Sequence, residues 1–173
     1  MKRALLCLLC LCLSFALCAC GSPDRYDLTE STFFYTMKVI QMNPSDYVGK
    51  TISFDCFTYL LTDVEGNEYL CGVRKCSSDI GCKCGRDTII GFILDYDGKI
   101  PAPKNQSEDT PDKTWIHIEG TLPNADKEEF SIYAYNGDEI DYGTLEPVAF
   151  NHFTVTSRAL IEDYSGLKYY VTN

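Results

Sequence analysis

Four cysteines within a short stretch form the group of residues with the most evident chemistry. Their spacing is C-x4-C-x5-C-x-C, at Cys71, Cys76, Cys82 and Cys84. In an exported protein such a set predicts two disulfides. Cys82 and Cys84 stand too close along the chain to bond each other with good geometry, so each would pair with Cys71 or Cys76, in either of two connectivities. The alternatives are a tetrahedral zinc site with four thiolate ligands, and free or redox-active thiols.

Basic residues surround these cysteines in a chain that is otherwise acidic. Arg74, Lys75, Lys83 and Arg86 lie within or beside the segment. Cations lower the pKa of a nearby thiol and offset the charge of a thiolate–zinc site. They also make a disulfide easier to exchange, so the pattern leaves disulfides, zinc and reactive thiols all open.

A fifth cysteine predicts where the protein works. Lys2 and Arg3 precede an apolar stretch over 4–19, which ends in Leu17-Cys18-Ala19 before Cys20. This stretch is shorter than the roughly 20 residues that span a bilayer, and its parts are those of an export signal. Leu at −3 followed by small residues and Cys is typical of a bacterial lipoprotein signal. We therefore expect a signal peptide over 1–19, lipid on Cys20, and anchoring at the extracytoplasmic face of the cell membrane.

The charge of the exported part excludes one class of partner. Of the 15 basic residues only Lys2 and Arg3 lie in the signal, so the remainder faces 25 acidic residues. A surface this acidic disfavours nucleic acid, whose phosphates require a basic face. It also disfavours electrostatic docking on anionic headgroups, so the lipid must supply the membrane contact.

The order of predicted elements favours a mainly β domain. A short helix within Asp27–Met42 ends at Asn43-Pro44, because the residue before proline avoids the helical region. Thr51–Leu61 alternates as a strand that places Cys56 in the core, and Glu68–Val73 completes a hairpin. Further strands are predicted at Thr88–Leu94, Thr114–Leu122 and Phe130–Tyr135, with one or two more in Val148–Ile161. The connections are a cysteine-rich loop over Arg74–Asp87 and a proline-rich loop over Lys99–Lys113, and Glu162–Asn173 is a loose or short-strand tail.

This order predicts an OB-like, partly open five-stranded barrel with a short N-terminal helix. A β-sandwich is the alternative. The proline-rich loop takes the place where an OB barrel usually has a helix. We assign 20–29 to a lipidated tether and 30–173 to a single β domain.

A family resemblance points in the same direction. The lead-in Pro44-Ser45-Asp46-Tyr47-Val48-Gly49-Lys50, which runs into the first predicted long strand, resembles that of small OB-fold-like surface lipoproteins of Gram-positive bacteria. It is also similar to the soluble domain of a two-subunit permease in such bacteria. Cys82 and Cys84 differ from the family's pair, which is often adjacent, because Lys83 separates them. The resemblance implies location, fold and a membrane-protein partner rather than a reaction.

The remaining candidates are aromatic residues and a histidine. Tyr59, Trp115, His117, Tyr133 and Tyr135 are candidates for a ligand-binding face of the barrel. Neither histidine belongs to a nucleophile motif, and we expect no enzymatic activity and no obligatory cofactor. The predicted function is a lipid-anchored protein that binds a ligand or partner. The alternatives are a zinc-binding accessory protein that uses the Cys71–Cys84 segment beside a permease, and a thiol-redox protein.

Overall fold

The structure is a computed structural model, and it describes residues 23–76, 88–136 and 139–171. Helix α1 spans Phe33–Met42 and is followed by a 3-10 turn over Pro44–Asp46. The strands are β1 (Arg25–Leu28), β2 (Thr51–Thr62), β3 (Glu68–Cys76), β4 (Thr88–Asp95), β5 (Trp115–Thr121), β6 (Lys127–Asn136), β7 (Glu139–Leu160) and β8 (Tyr170–Val171). Within the described ranges no helix is long and apolar enough to cross a membrane.

Five strands pair into a ring in the order β2-β3-β4-β7-β5 and back to β2. Only the β4–β7 contact is parallel. The ring is partly open because β2 and β3 pair only from Phe57 onward. Where β2 and β3 separate, β1 pairs with the free edge of β2 and β8 pairs with the free edge of β3. The prediction of a mainly β, partly open barrel with one short helix is confirmed, and the ring of pairings favours it over the sandwich.

The interior of the barrel follows the alternation read from the sequence. Ile52, Phe54 and Cys56 of β2 are fully buried, opposite Ile116 and Ile118 of β5. Such alternation arises because successive side chains of a strand point to opposite faces. Helix α1 closes one side of this interior with its buried residues Phe33, Phe34, Met37 and Ile40.

A second buried group, the outer cluster, lies on the outside of the same strands. It is formed by Phe57, Cys71, Val73, Trp115 and Tyr169 with smaller contributions from their neighbours. The C-terminal segment covers this face, since the ring of Tyr169 lies 5.6 Å from that of Phe57. The Trp115 indole Nε1 donates to the carbonyl of Pro111 at 2.8 Å. Of the two predictions for the tail, loose or short strand, the second is confirmed by β8, and the tail packs on the domain.

Three parts of the fold differ from the sequence prediction. β1 lies within the segment that we assigned to the tether, and β3 extends to Cys76 in the segment predicted as a loop. The hairpin of β6 and β7 is also much longer than expected. Pro147 of β7 pairs with Ser131 of β6, whose carbonyl accepts a hydrogen bond from the Val64 amide on the opposite edge of β6. This pair therefore exchanges no hydrogen bonds between β6 and β7. The position where Pro147 lacks an N–H faces outward, and proline is tolerated there.

Candidate functional site

The two candidate cysteines of β3 are not brought together. Cys71 and Cys76 are five residues apart on one strand, an odd spacing that places their side chains on opposite faces. Their backbones are about 16 Å apart along the strand. Cys71 lies in the outer cluster, whereas Cys76 packs with the barrel interior. One tetrahedral centre requires its ligands within about 2.3 Å of the metal, so this geometry is compatible with only one of the two in any such site.

Burial and charge distinguish the thiols. Cys56, Cys71 and Cys76 are free, and Cys20, Cys82 and Cys84 lie outside the described residues. Burial raises the pKa of Cys71 to about 12 and that of Cys76 to about 11. Only at Cys76 is this effect opposed by two cations, Arg74 and Lys38. Cys76 thus lies at the end of a strand beside two cations, which reduce the effect of burial but leave its pKa above that of an ordinary thiol.

No group of three or more His, Cys, Asp or Glu side chains within the described ranges is arranged to hold a metal ion. The predicted zinc site requires Cys82 and Cys84, so it stays a prediction.

Arg74 is the most deeply buried charged residue among those described, at 1% exposure. Its guanidinium forms a two-point contact with the Glu30 carboxylate, at 2.7 Å and 3.1 Å. It also donates to the carbonyls of Asp55 and Lys168. Because these partners belong to three separate parts of the chain, Arg74 joins the N-terminal segment, β2 and the C-terminal segment at the gap in the barrel.

The surroundings of Arg74 stabilise the ion pair. Its guanidinium carbon lies 5.2 Å from the Phe33 ring centre and 4.9 Å from that of Trp115, in cation–π contact with both. Burial raises the pKa of Glu30, but the hydrogen bonds from Arg74 and from the Lys168 amide outweigh it and the net pKa is lowered. Glu30 therefore stays ionised at neutral pH.

The predicted aromatic face is only partly assembled. Tyr59 and Trp115 both belong to the outer cluster, where Trp115 is buried beneath the C-terminal segment. Tyr133 lies on the β6–β7 hairpin, with its ring 5.1 Å from that of Tyr142. Tyr135 pairs with Ile140 in the same hairpin, and its side chain is outside the description. These residues do not form one open surface.

His117 lies in a polar chain that the sequence did not reveal. Its Nδ1 is 2.7 Å from Asp55, and its Nε2 is 3.2 Å from the Ser53 hydroxyl. With Nδ1–H donated to Asp55, Nε2 accepts from Ser53, which is the connectivity of a nucleophile, base and orienting acid. β2 is, however, paired on both sides at Ser53, by β1 and β5. Its backbone amides are therefore engaged in ladders and offer no donor to a developing oxyanion.

The polar chain forms because the register of β2 and β5 pairs Asp55 directly with His117. His152 has an equivalent partner in Asp95, at 3.0 Å from its Nδ1, because β4 and β7 lie side by side. Both pairings depend on which strands are neighbours, and spacing along the chain does not reveal that.

Comparison with known proteins places this fold in a family. The family model described as the DUF1980 C-terminal domain matches residues 19–136. UPF0703 protein YcgQ of Bacillus subtilis (strain 168) is 29% identical over 105 residues, which is 59% of this chain and 32% of that protein. The chain thus spans about a third of the length of this relative. No solved structure matches this chain significantly. Since the match covers more than half of the residues, the chain belongs to the DUF1980 C-terminal domain family.

Proposed function

We propose that this protein is a lipid-anchored extracytoplasmic protein whose OB-like barrel binds a ligand or a partner protein. The observation that carries the proposal is the lipoprotein signal at Leu17-Cys18-Ala19-Cys20, followed by a folded strand that begins at Arg25. A lipidated cysteine so close to the first strand holds the barrel beside the membrane. The anchor leaves the barrel as the part that meets other molecules.

Two further observations support the proposal. The lead-in Pro44–Lys50 resembles that of the soluble domain of a two-subunit permease, which supports a partner in the membrane. The ring order β2-β3-β4-β7-β5, with long connections between β4, β5 and β7, is compatible with an OB-type barrel, whose strand faces and loops bind ligands.

The anchor is tested by substitution of the acceptor. Cys20→Ser in the full chain removes the sulfur to which lipid is attached, and Cys18→Ser is the matched control two residues away. We expect wild type and Cys18→Ser to incorporate a radioactive fatty acid and to be recovered in the membrane fraction. Cys20→Ser should do neither. Equal labelling of all three chains would refute Cys20 as the acceptor, and the absence of label from the wild type would refute the lipid anchor.

A second candidate function is metal handling by the cysteine segment. It is favoured by Cys76, which ends β3 beside Arg74 and Lys38. Because Cys71 faces the outer cluster, the proposed zinc ligands are Cys76, Cys82 and Cys84, with a fourth ligand supplied by water or a partner. We therefore propose three cysteine ligands in place of the four expected from the sequence.

The two cysteines of β3 provide a matched test. Zinc is measured by native mass spectrometry after purification without reductant, in Cys76→Ala and in Cys71→Ala. We expect near-stoichiometric zinc in wild type and Cys71→Ala and its loss in Cys76→Ala. A loss of four mass units without zinc in the wild type would show two disulfides instead, and would exclude the metal function.

A further inference from the structure

Helix α1 has an unexpected solvent-facing side. Its buried residues point into the barrel, whereas Tyr35, Lys38 and Met42 face outward. Positions separated by three and seven residues lie on one side of a helix. Tyr35 and Met42 are each 69% exposed. A methionine and a tyrosine this exposed on one helical stripe are a small apolar surface that nothing in the chain covers within the described ranges.

This surface continues into the segments that flank the helix. The ring of Tyr47 lies 5.0 Å from that of Tyr26 on β1. Lys50 lies over both rings, at 5.8 Å and 5.9 Å from their centres. Val48, which follows Tyr47 in the chain, is 39% exposed and adds an aliphatic side chain. We call the group Tyr26, Tyr35, Met42, Tyr47 and Val48 the N-terminal apolar face.

Three tyrosines belong to this face together. Burial raises the pKa of Tyr47, and the nearby hydroxyls of Tyr26 and Tyr35 raise it further. Tyrosine carries an apolar ring and a polar tip, so it is favoured where one end is apolar and the other wet. Such residues, with lysines whose stems extend along apolar surface, are typical of the membrane–water interface.

The length of chain outside the structure restricts how this face is oriented. Cys20 and Arg25 are five residues apart, which is at most about 18 Å of extended chain. A domain of this size is about 30–40 Å across. The anchor therefore attaches the barrel to the bilayer by the side on which β1 begins, and Tyr26 is the second residue of that strand.

We propose that the N-terminal apolar face rests on the lipid headgroup region of the membrane that holds the anchor. This inference rests on the proposed lipid anchor and adds the orientation of the barrel. Tyr35 and Met42 insert their side chains among the headgroups. Tyr142 on the β6–β7 hairpin is 73% exposed and is not part of this face, so it is the comparison position.

The charges on this face predict that binding is insensitive to salt. Lys38 and Lys50 carry two positive charges, and the exposed carboxylates of Asp24 and Asp46 carry two negative charges. With no net charge, the contact depends on apolar and aromatic burial and is not an electrostatic attraction to anionic lipid.

The test uses two exposed tyrosines as a matched pair. Tyr35→Trp and Tyr142→Trp are made in the full lipidated chain, which is reconstituted in phosphatidylcholine vesicles with a minority of phosphatidylglycerol. Lipids with brominated acyl chains quench a tryptophan that lies close to them. The signal of the native Trp115 is subtracted with the unsubstituted protein. We expect quenching several-fold greater at position 35 than at position 142, in low and high salt.

Vesicle flotation separates the possible failures. If the protein floats with the vesicles but the two tryptophans are quenched equally, or only position 142 is quenched, the orientation is wrong and the anchor stands. If quenching at position 35 disappears in high salt, the contact is electrostatic and the apolar face is not its cause. If the protein does not float, both the anchor and the orientation are refuted.

Discussion

The Glu30–Arg74 ion pair is the interaction whose loss the structure predicts most sharply. Glu30→Gln keeps the shape of the side chain but leaves a guanidinium at 1% exposure without its counter-charge. Breaking a fully buried pair costs about 3–5 kcal/mol. Glu30 is 28% exposed and Arg74 keeps two backbone carbonyls as partners. The expected loss is therefore at the lower end, about 3 kcal/mol of unfolding free energy.

The chain contains its own fluorescent probe of unfolding. Trp115 is the only tryptophan of the chain, and its ring centre lies 4.9 Å from the Arg74 guanidinium carbon. Urea unfolding followed by its fluorescence measures the free energy directly. For a domain of this size, a loss of about 3 kcal/mol also lowers Tm by roughly 6–12 °C. Glu68→Gln, at an exposed position that starts β3, is the control and should change stability by less than about 0.5 kcal/mol.

The pH dependence provides a second reading of the same pair. Because the pKa of Glu30 is lowered in the folded state, its contribution is complete above the ordinary glutamate pKa and is lost as pH falls through the folded value. The difference between wild type and Glu30→Gln should thus be largest near neutral pH and shrink in acid. A loss below about 1 kcal/mol at pH 7, or a difference that grows in acid, would refute the assignment of Arg74 as an electrostatic clamp.

Three further predictions concern packing, thiol reactivity and catalysis. Gly91→Ala should destabilise the barrel by more than about 2 kcal/mol, because the new Cβ would lie 2.0 Å from a backbone oxygen of β3, whereas Gly166→Ala, with no atom within 4 Å, should be nearly neutral in the same urea titration. Iodoacetamide at pH 8 should leave Cys71 unmodified in the native protein, because burial raises its pKa to about 12, and should modify it fully in urea. Rapid modification of the native protein, detected by mass spectrometry, would contradict the burial of Cys71. A fluorophosphonate probe should not label Ser53, and a covalent adduct found there by peptide mapping would overturn the expectation that the protein is not an enzyme.

Strand interiors were predictable from the sequence because alternation is a local property. The alternation of Thr51–Leu61 was expected to place Cys56 inside, and Cys56 is fully buried there together with Ile52 and Phe54 of the same strand face. The end of α1 at Asn43 was equally local, since Pro44 excludes the helical conformation before it. Local steric rules and period-2 patterning suffice for both.

Pairings between distant strands could not be predicted in this way. Arg74 was assigned to a loop, because nothing in its neighbours shows that Glu30 and the Lys168 carbonyl converge on it. Trp115 was expected on an open ligand face, yet the C-terminal segment packs over it. The length of the β6–β7 hairpin was also missed, since Pro147 normally argues against a strand and is tolerated only because its nitrogen faces outward.

Lys38 connects the N-terminal apolar face with the cysteine segment. It lies on the outward side of α1 between Tyr35 and Met42, and its charge opposes part of the rise that burial causes in the pKa of the Cys76 thiol. If α1 rests on the membrane, the end of β3 that carries Cys76 is therefore on the membrane-proximal side of the barrel. A metal bound there would be held near the bilayer surface, where a permease opens. The orientation measured with Tyr35→Trp thus bears on the metal-handling function, because an α1 that faces away from the lipid would also turn Cys76 away from any membrane partner.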